Sequence, residues 1–124
     1  MSSRIQEIVN DLKNLNLKKI SIGSLRDKYQ SGNKTSCKIR EVIDYIILNN
    51  LKDSFVDKEF YGDFRDKQLT FLLECDNSYE VFCSERGGKH LLEKYDDYES
   101  ALFEYLDRMF NELSINAIDS KNFS

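Results

Sequence analysis

The chain has 124 residues, the length of one domain, and 36 of them are Leu, Ile, Val or Phe, enough for a folded core without a metal or disulfide. No apolar run approaches the ~18 residues of a membrane-spanning helix, and segment 1–12 is too polar for a signal peptide. Of the net charge of −4, residues 1–62 carry +3 and residues 63–124 carry −7. We therefore expect a single cytoplasmic domain over residues 1–124, without membrane contact and with an acidic C-terminal half.

Residues 1–51 have the apolar period of helices. Ser24 and Asp27 form a capping-box pattern, which predicts a short helical turn between two long helices. Thr35 or Ser36 is predicted to cap the second long helix. The predicted buried stripes of the two long helices are Ile5, Ile8, Val9, Leu12 and Leu15, and Ile39, Val42, Ile43, Ile46 and Ile47.

The middle of the chain changes to the two-residue period of strands. Segments 68–75 and 79–84 predict two antiparallel strands. The glycines of the turn at 85–88 permit positive φ, so residues 89–95 are expected to return as a third strand. Segment 55–61 is a poor strand candidate.

The loop between the first two predicted strands decides their register. A three-residue loop, Asp76-Asn77-Ser78, sets apolar residues opposite one another, with Phe71 facing Cys83. The same register sets Glu74 opposite Glu80, an unfavourable pair unless a basic side chain lies alongside. We therefore predict the three-residue loop.

A final helix is predicted over residues 96–113, capped by Asp96, with Glu99 reaching back to the Asp96 amide. Residues beyond this helix are expected to fray. The elements are helices in 1–51, an antiparallel meander of three to four strands in 55–95, and a C-terminal helix packed on the sheet. This order is typical of an α+β domain. The predicted apolar face of the last helix is Tyr98, Ala101, Leu102, Tyr105, Leu106, Met109, Phe110 and Leu113.

Chemistry at an active site would depend on few residues. His90 is the only histidine, so it would have to act as the base for Cys83 or Cys75 in a nucleophilic mechanism. Both cysteines alternate with core residues, and burial opposes thiolate formation. With Cys37 they are three in number and lack the CxxC spacing of zinc sites, which favours reduced structural thiols. We predict no enzyme, no cofactor and no metal site, with a small enzyme or ligand pocket near His90 and Cys83 as the rival interpretation.

The acidic C-terminal half contains a candidate surface for a protein partner. Its acids are concentrated in residues 93–107, where they outnumber a single lysine, and tyrosines lie among them. Such a field repels nucleic acid and attracts basic proteins, although a solvated helix face would have the same composition. The predicted partner-binding residues are Glu85, Arg86, Glu93, Tyr95, Asp96, Asp97, Tyr98, Glu99 and Glu104.

The run from Tyr79 to Gly88, which reads YEVFCSERGG, and the run YDDYESALFEYL from Tyr95 to Leu106 together point to a known class of protein. They resemble the C-terminal half of small α+β immunity proteins of bacterial polymorphic-toxin and contact-dependent growth inhibition systems. The resemblance covers roughly residues 68–110. It implies a protein without enzymatic activity that binds a cognate toxin domain and occludes it. Many such toxins are nucleases with a basic cleft, which an acidic partner complements. An adaptor that binds some other basic protein is a third alternative.

Overall fold

The computed structural model of the protein describes residues 3–17, 19–31, 35–60, 69–85 and 88–120. Over these residues the chain is α+β, with helices, a three-stranded antiparallel sheet and a two-stranded parallel pair, which confirms the predicted fold class. None of the helices in this part of the chain is long and apolar enough to cross a membrane. The elements are α1 (Ser3–Asn16), α2 (Ile22–Ser31), β1 (Ser36–Cys37), α3 (Ile39–Leu48), a 3-10 turn (Lys52–Phe55), β2 (Leu69–Glu74), β3 (Tyr79–Glu85), β4 (Gly88–Tyr95), α4 (Tyr98–Leu113) and β5 (Asn116–Ala117).

The chain forms two structural units. The first unit consists of Met1–Phe55 and Leu106–Ser124, and the second unit of Val56–Tyr105, so α4 contributes residues to both. By sequence the second unit has 13 Asp and Glu against 6 Lys and Arg, a net charge of −7, whereas the first unit has a net charge of +3. The acidity of the protein therefore belongs to the unit with the sheet. That the whole chain is one domain stays a prediction.

The apolar stripes of α1 and α3 form the core of the first unit, as their spacing predicts. The five predicted residues of α1 are buried, as are Ile39, Val42, Ile43 and Ile46 of α3. The prediction was wrong for Ile47, which is 43% exposed because it lies beyond the buried arc of the helix. The predicted short turn is the ten-residue helix α2, and its cap is Ser21 in place of Ser24, since the Ser21 hydroxyl accepts the Ser24 backbone N–H at 3.1 Å.

Residues 114–120, the described part of the chain after α4, do not fray, which corrects the prediction for these residues. β5 pairs in parallel with β1, and Ile115 and Ala117 are buried. The same segment supplies the cap of α3. Neither Thr35 nor Ser36 caps this helix; Asp119 does, by accepting the backbone N–H of Ile39.

The sheet of the second unit has the order β2-β3-β4 and is antiparallel throughout, in agreement with the predicted meander. Its first loop corrects the predicted register by one residue. The backbone N–H of Cys75 donates to the carbonyl oxygen of Ser78 at 2.8 Å, so the loop has two residues and Phe71 faces Phe82. These two rings stack at 5.6 Å between centroids, and Phe60 meets Phe82 edge-on at 4.9 Å. The aromatic cluster favours this register over the predicted one.

The observed register also resolves the predicted repulsion between two glutamates. Glu80 lies opposite Leu73 on one side and Lys94 on the other, and Glu74 forms an ion pair with Lys58. Glu80 is 9% exposed, and its carboxylate accepts a hydrogen bond from the Lys89 ammonium at 2.7 Å. Basic side chains therefore lie beside both carboxylates.

Segment 55–61 forms no strand in its described part, because Asp57 makes only an isolated bridge to Leu73 before β2 begins. The predicted turn residues Arg86 and Gly87 lie outside the described residues, as does Tyr61.

Candidate protein-binding surface

The start of α4 is fixed by Asp97. Its carboxylate accepts the backbone N–H of Ser100 at 2.8 Å and the Ser100 hydroxyl at 2.8 Å. Asp97 is therefore the N-cap, and the prediction of Asp96 as the cap was wrong by one residue. Asp96 and Glu99, on either side of the cap, are both exposed. Of these three predicted surface acids, Asp96 and Glu99 therefore face solvent, and Asp97 caps the helix.

Tyr95, at the end of β4, lies between two carboxylates of the second unit. Its hydroxyl donates a hydrogen bond to Glu93 at 2.6 Å. Burial, this hydrogen bond and the negative charge of Glu104 on α4 together raise the pKa of Tyr95. The phenol therefore stays protonated at physiological pH and serves as a donor between β4 and α4.

Tyr98 packs against the sheet. Its ring meets the ring of Tyr79 edge-on at 5.7 Å between centroids, and the side chain is half-buried. This contact joins the first turn of α4 to the start of β3. Tyr98 thus has a packing role of its own, which limits how much of its surface is available to a partner.

The predicted site residues do not all lie together. Glu93, Tyr95 and Glu104 form one cluster. Glu85 lies at the far end of the β3–β4 hairpin, opposite Gly88, whereas Tyr95 lies opposite Tyr79. Arg86 lies outside the described residues. The predicted residues that lie close together are therefore those at the end of β4 and the start of α4, without Glu85.

Leu91 and Leu92 of β4 were not among the predicted surface residues. Leu91 is 75% exposed and Leu92 is 42% exposed. The sequence signal was a pair of adjacent leucines in a predicted strand, where alternation allows only one of them to face the core.

The rival site at His90 and Cys83 is partly assembled, because these residues are cross-strand neighbours in β3 and β4. The polar contacts that the structure describes for these two side chains are with other groups. Nε2 of His90 lies 3.2 Å from the carbonyl oxygen of Glu85, and the Cys83 thiol lies 3.8 Å from the Thr70 hydroxyl. Within the described ranges, no group of three or more His, Cys, Asp or Glu side chains is placed to hold a metal ion.

A separate cavity of about 370 Å³ lies in the first unit, between α1, β1 and the start of α3. Arg4, Lys38 and Glu41 give it a lining of mixed charge, and Cys37 forms part of its wall. Burial raises the pKa of the Cys37 thiol to about 11, so it is not activated as a nucleophile.

Neither a protein-family model, nor a curated protein, nor a solved structure matches the chain.

Proposed function

We propose that the protein is an immunity protein that binds a bacterial toxin domain through the acidic surface of its second unit and occludes that domain. The observation that carries this proposal is that the lysines described in the second unit lie beside carboxylates, while further acids of the unit stay exposed. The three described basic residues of the second unit, Lys58, Lys89 and Lys94, all lie beside carboxylates of the same unit, Glu74 or Glu80. Lys89 and Lys94 share the Glu80 carboxylate, so the two glutamates balance two of the three lysine charges.

Exposed acids remain at the start of α4. Asp96 and Glu99 point to solvent in a unit with a net charge of −7. A field of one sign accelerates association with a protein of the opposite sign and disfavours nucleic acid and anionic membranes. The partner that this surface fits is a basic protein, and a nuclease toxin with a cleft for phosphates has that property.

The resemblance of roughly residues 68–110 to immunity proteins supports the same proposal from the sequence. The function proposed is non-catalytic: the protein binds the toxin and changes no covalent bond. A small enzyme at His90 and Cys83 is the rival, and turnover lost in both His90→Ala and Cys83→Ser would favour it.

The experiment uses as its probe the C-terminal domain of the protein encoded immediately upstream of this chain's gene. Wild-type protein should restore growth to bacteria that express this domain and should bind it in a stopped-flow assay. The double variant Asp96→Lys/Glu99→Lys should associate about tenfold more slowly at low salt, with a smaller effect at high salt.

The matched control is Asp27→Lys/Asp44→Lys, which changes two exposed acids of the first unit and alters the net charge by the same amount. Its association rate should fall less than that of the first double variant. Equal rates for the two variants would show that only total charge matters. A wild-type protein that neither binds the domain nor restores growth would contradict the proposed function.

A further inference from the structure

The β3–β4 hairpin contains a bulge at Leu91 and Leu92. Val81 pairs with Glu93 and Cys83 pairs with His90, so the two leucines together stand opposite the single residue Phe82. Leu91 has a φ of 55°. This left-handed conformation is common for glycine at a bulge and costly for a residue with a Cβ atom.

Both leucines of the bulge lie in solvent, in a strand whose residues 89–94 are all exposed. Leu91 is 75% exposed and Leu92 is 42% exposed, although β4 pairs with the buried strand β3. Leu91 therefore combines a costly backbone conformation with an apolar side chain that gains little burial in return. A costly backbone conformation that side-chain burial does not offset is expected where a binding surface requires it.

We propose that the Leu91–Leu92 bulge is the apolar anchor of the surface that binds the toxin. This inference rests on the proposed function. The fitting partner is a basic protein with an apolar recess for the two leucines and lysine or arginine around it. Such a surface combines a desolvated apolar centre with complementary charges at its rim.

Charge complementarity favours a basic protein over a second copy of this chain. A symmetric dimer through the bulge would bring the same face of two units of charge −7 together, and the like charges would repel. The bulge also interrupts the regular spacing of backbone groups along β4, which disfavours the addition of a strand. Recognition is therefore expected through the leucine side chains.

The experiment compares Leu91→Gly and Leu92→Ser with the wild-type protein, using the upstream-encoded domain as the probe. Calorimetry measures the dissociation constant, and thermal unfolding measures stability. Leu91→Gly should raise the dissociation constant tenfold or more while the melting temperature stays equal or rises, because glycine relaxes the bulge. Leu92→Ser should weaken binding in the same direction.

Two matched controls lie in the first unit. Ser114 has a φ of 62°, so Ser114→Gly relieves the same kind of backbone strain, and Leu48→Ser removes another leucine that is 71% exposed. Both should leave the dissociation constant within twofold of wild type.

The outcomes separate this inference from the function on which it rests. A wild-type protein that does not bind the probe contradicts the proposed function, and the anchor with it. Binding by wild type that both bulge variants retain unchanged overturns the anchor alone. A lower melting temperature for Leu91→Gly would show that Leu91 has a structural role. Sedimentation that finds dimers of the wild type and monomers of Leu91→Gly would show that a second copy of the chain occupies the surface. Either result overturns the inference.

Discussion

Asp119 caps a helix that begins 80 residues earlier in the chain. Its carboxylate accepts the backbone N–H of Ile39 at 2.6 Å and that of Arg40 at 3.1 Å, and the residue before the helix, Lys38, makes no capping bond with its side chain. The pairing of β1 with β5 brings the two segments together. The last described residues of the chain thus satisfy the first amides of α3.

This relationship predicts the effect of removing the cap. Asp119→Ala should lower the free energy of unfolding by about 1–2 kcal/mol, because two helix amides lose their acceptor. Asp119→Asn should recover most of the loss, since the amide oxygen of asparagine is also a good cap. Urea denaturation measures both. Asp27→Ala, at an exposed acid within α2, is the control and should change stability by less than about 0.5 kcal/mol.

The second helix cap gives a prediction that separates two adjacent aspartates. Asp97→Ala should lower the free energy of unfolding by about 1 kcal/mol, because the Ser100 amide loses its bond to the carboxylate. Asp96→Ala should leave stability within about 0.5 kcal/mol, since Asp96 is exposed. Denaturation of the two variants side by side is the test. A larger loss for Asp96→Ala would restore the assignment made from the sequence.

The two lysines around Glu80 should differ in importance. The Lys89 ammonium lies 2.7 Å from the Glu80 carboxylate with 33% of its side chain exposed, whereas Lys94 lies at 4.0 Å with 68% exposed. Lys89→Met should cost about 1–3 kcal/mol, because the buried carboxylate loses a charged hydrogen bond. Lys94→Met should cost less than about 0.5 kcal/mol. Similar losses for both variants in chemical denaturation would contradict a specific role for Lys89.

The features that could be predicted from the sequence are those that depend on neighbouring residues. The stripes of α1 and α3 follow from a spacing of three and four, and the three strands follow from alternation and turn residues. The burial of most predicted stripe residues shows that this local signal is enough to identify the elements.

Features that depend on distant contacts could not be predicted in this way. The register of β2 against β3 depends on the stack of Phe71 on Phe82. A register shifted by one residue would also pair apolar residues, so spacing alone does not decide between the two. The cap at Asp119 depends on the β1–β5 pairing, and two-residue strands carry no detectable period. The bulge has a leucine at its positive-φ position, so no glycine in the sequence indicates it. The sequence therefore predicts the exposed acids Asp96 and Glu99, but not the exposure of Leu91 and Leu92.

The last prediction concerns alkaline pH and two buried groups of the first unit. Burial, followed by the negative charges of Asp119 and Glu41, raises the pKa of Cys37 from 9.0 to about 11. Burial and the hydrogen bond to Asp11, at 2.5 Å, raise the pKa of Tyr29 above its ordinary value of 10.0. Both groups stay protonated in the folded protein at a pH where they ionise in the unfolded chain.

The sign of the pH dependence follows from proton binding. Above about pH 9 the unfolded chain holds fewer protons at these groups than the folded protein, so the free energy of unfolding falls as the pH rises. Cys37 alone should account for a loss on the order of 1–3 kcal/mol between pH 9 and pH 11. Urea denaturation from pH 6 to pH 11 measures the free energy of unfolding at each pH. Above pH 9 this free energy should fall less steeply for Cys37→Ala and for Tyr29→Phe than for wild type, and below pH 8 its pH dependence should be the same in all three proteins. An alkaline limb unchanged in both variants would mean that other groups control stability at high pH.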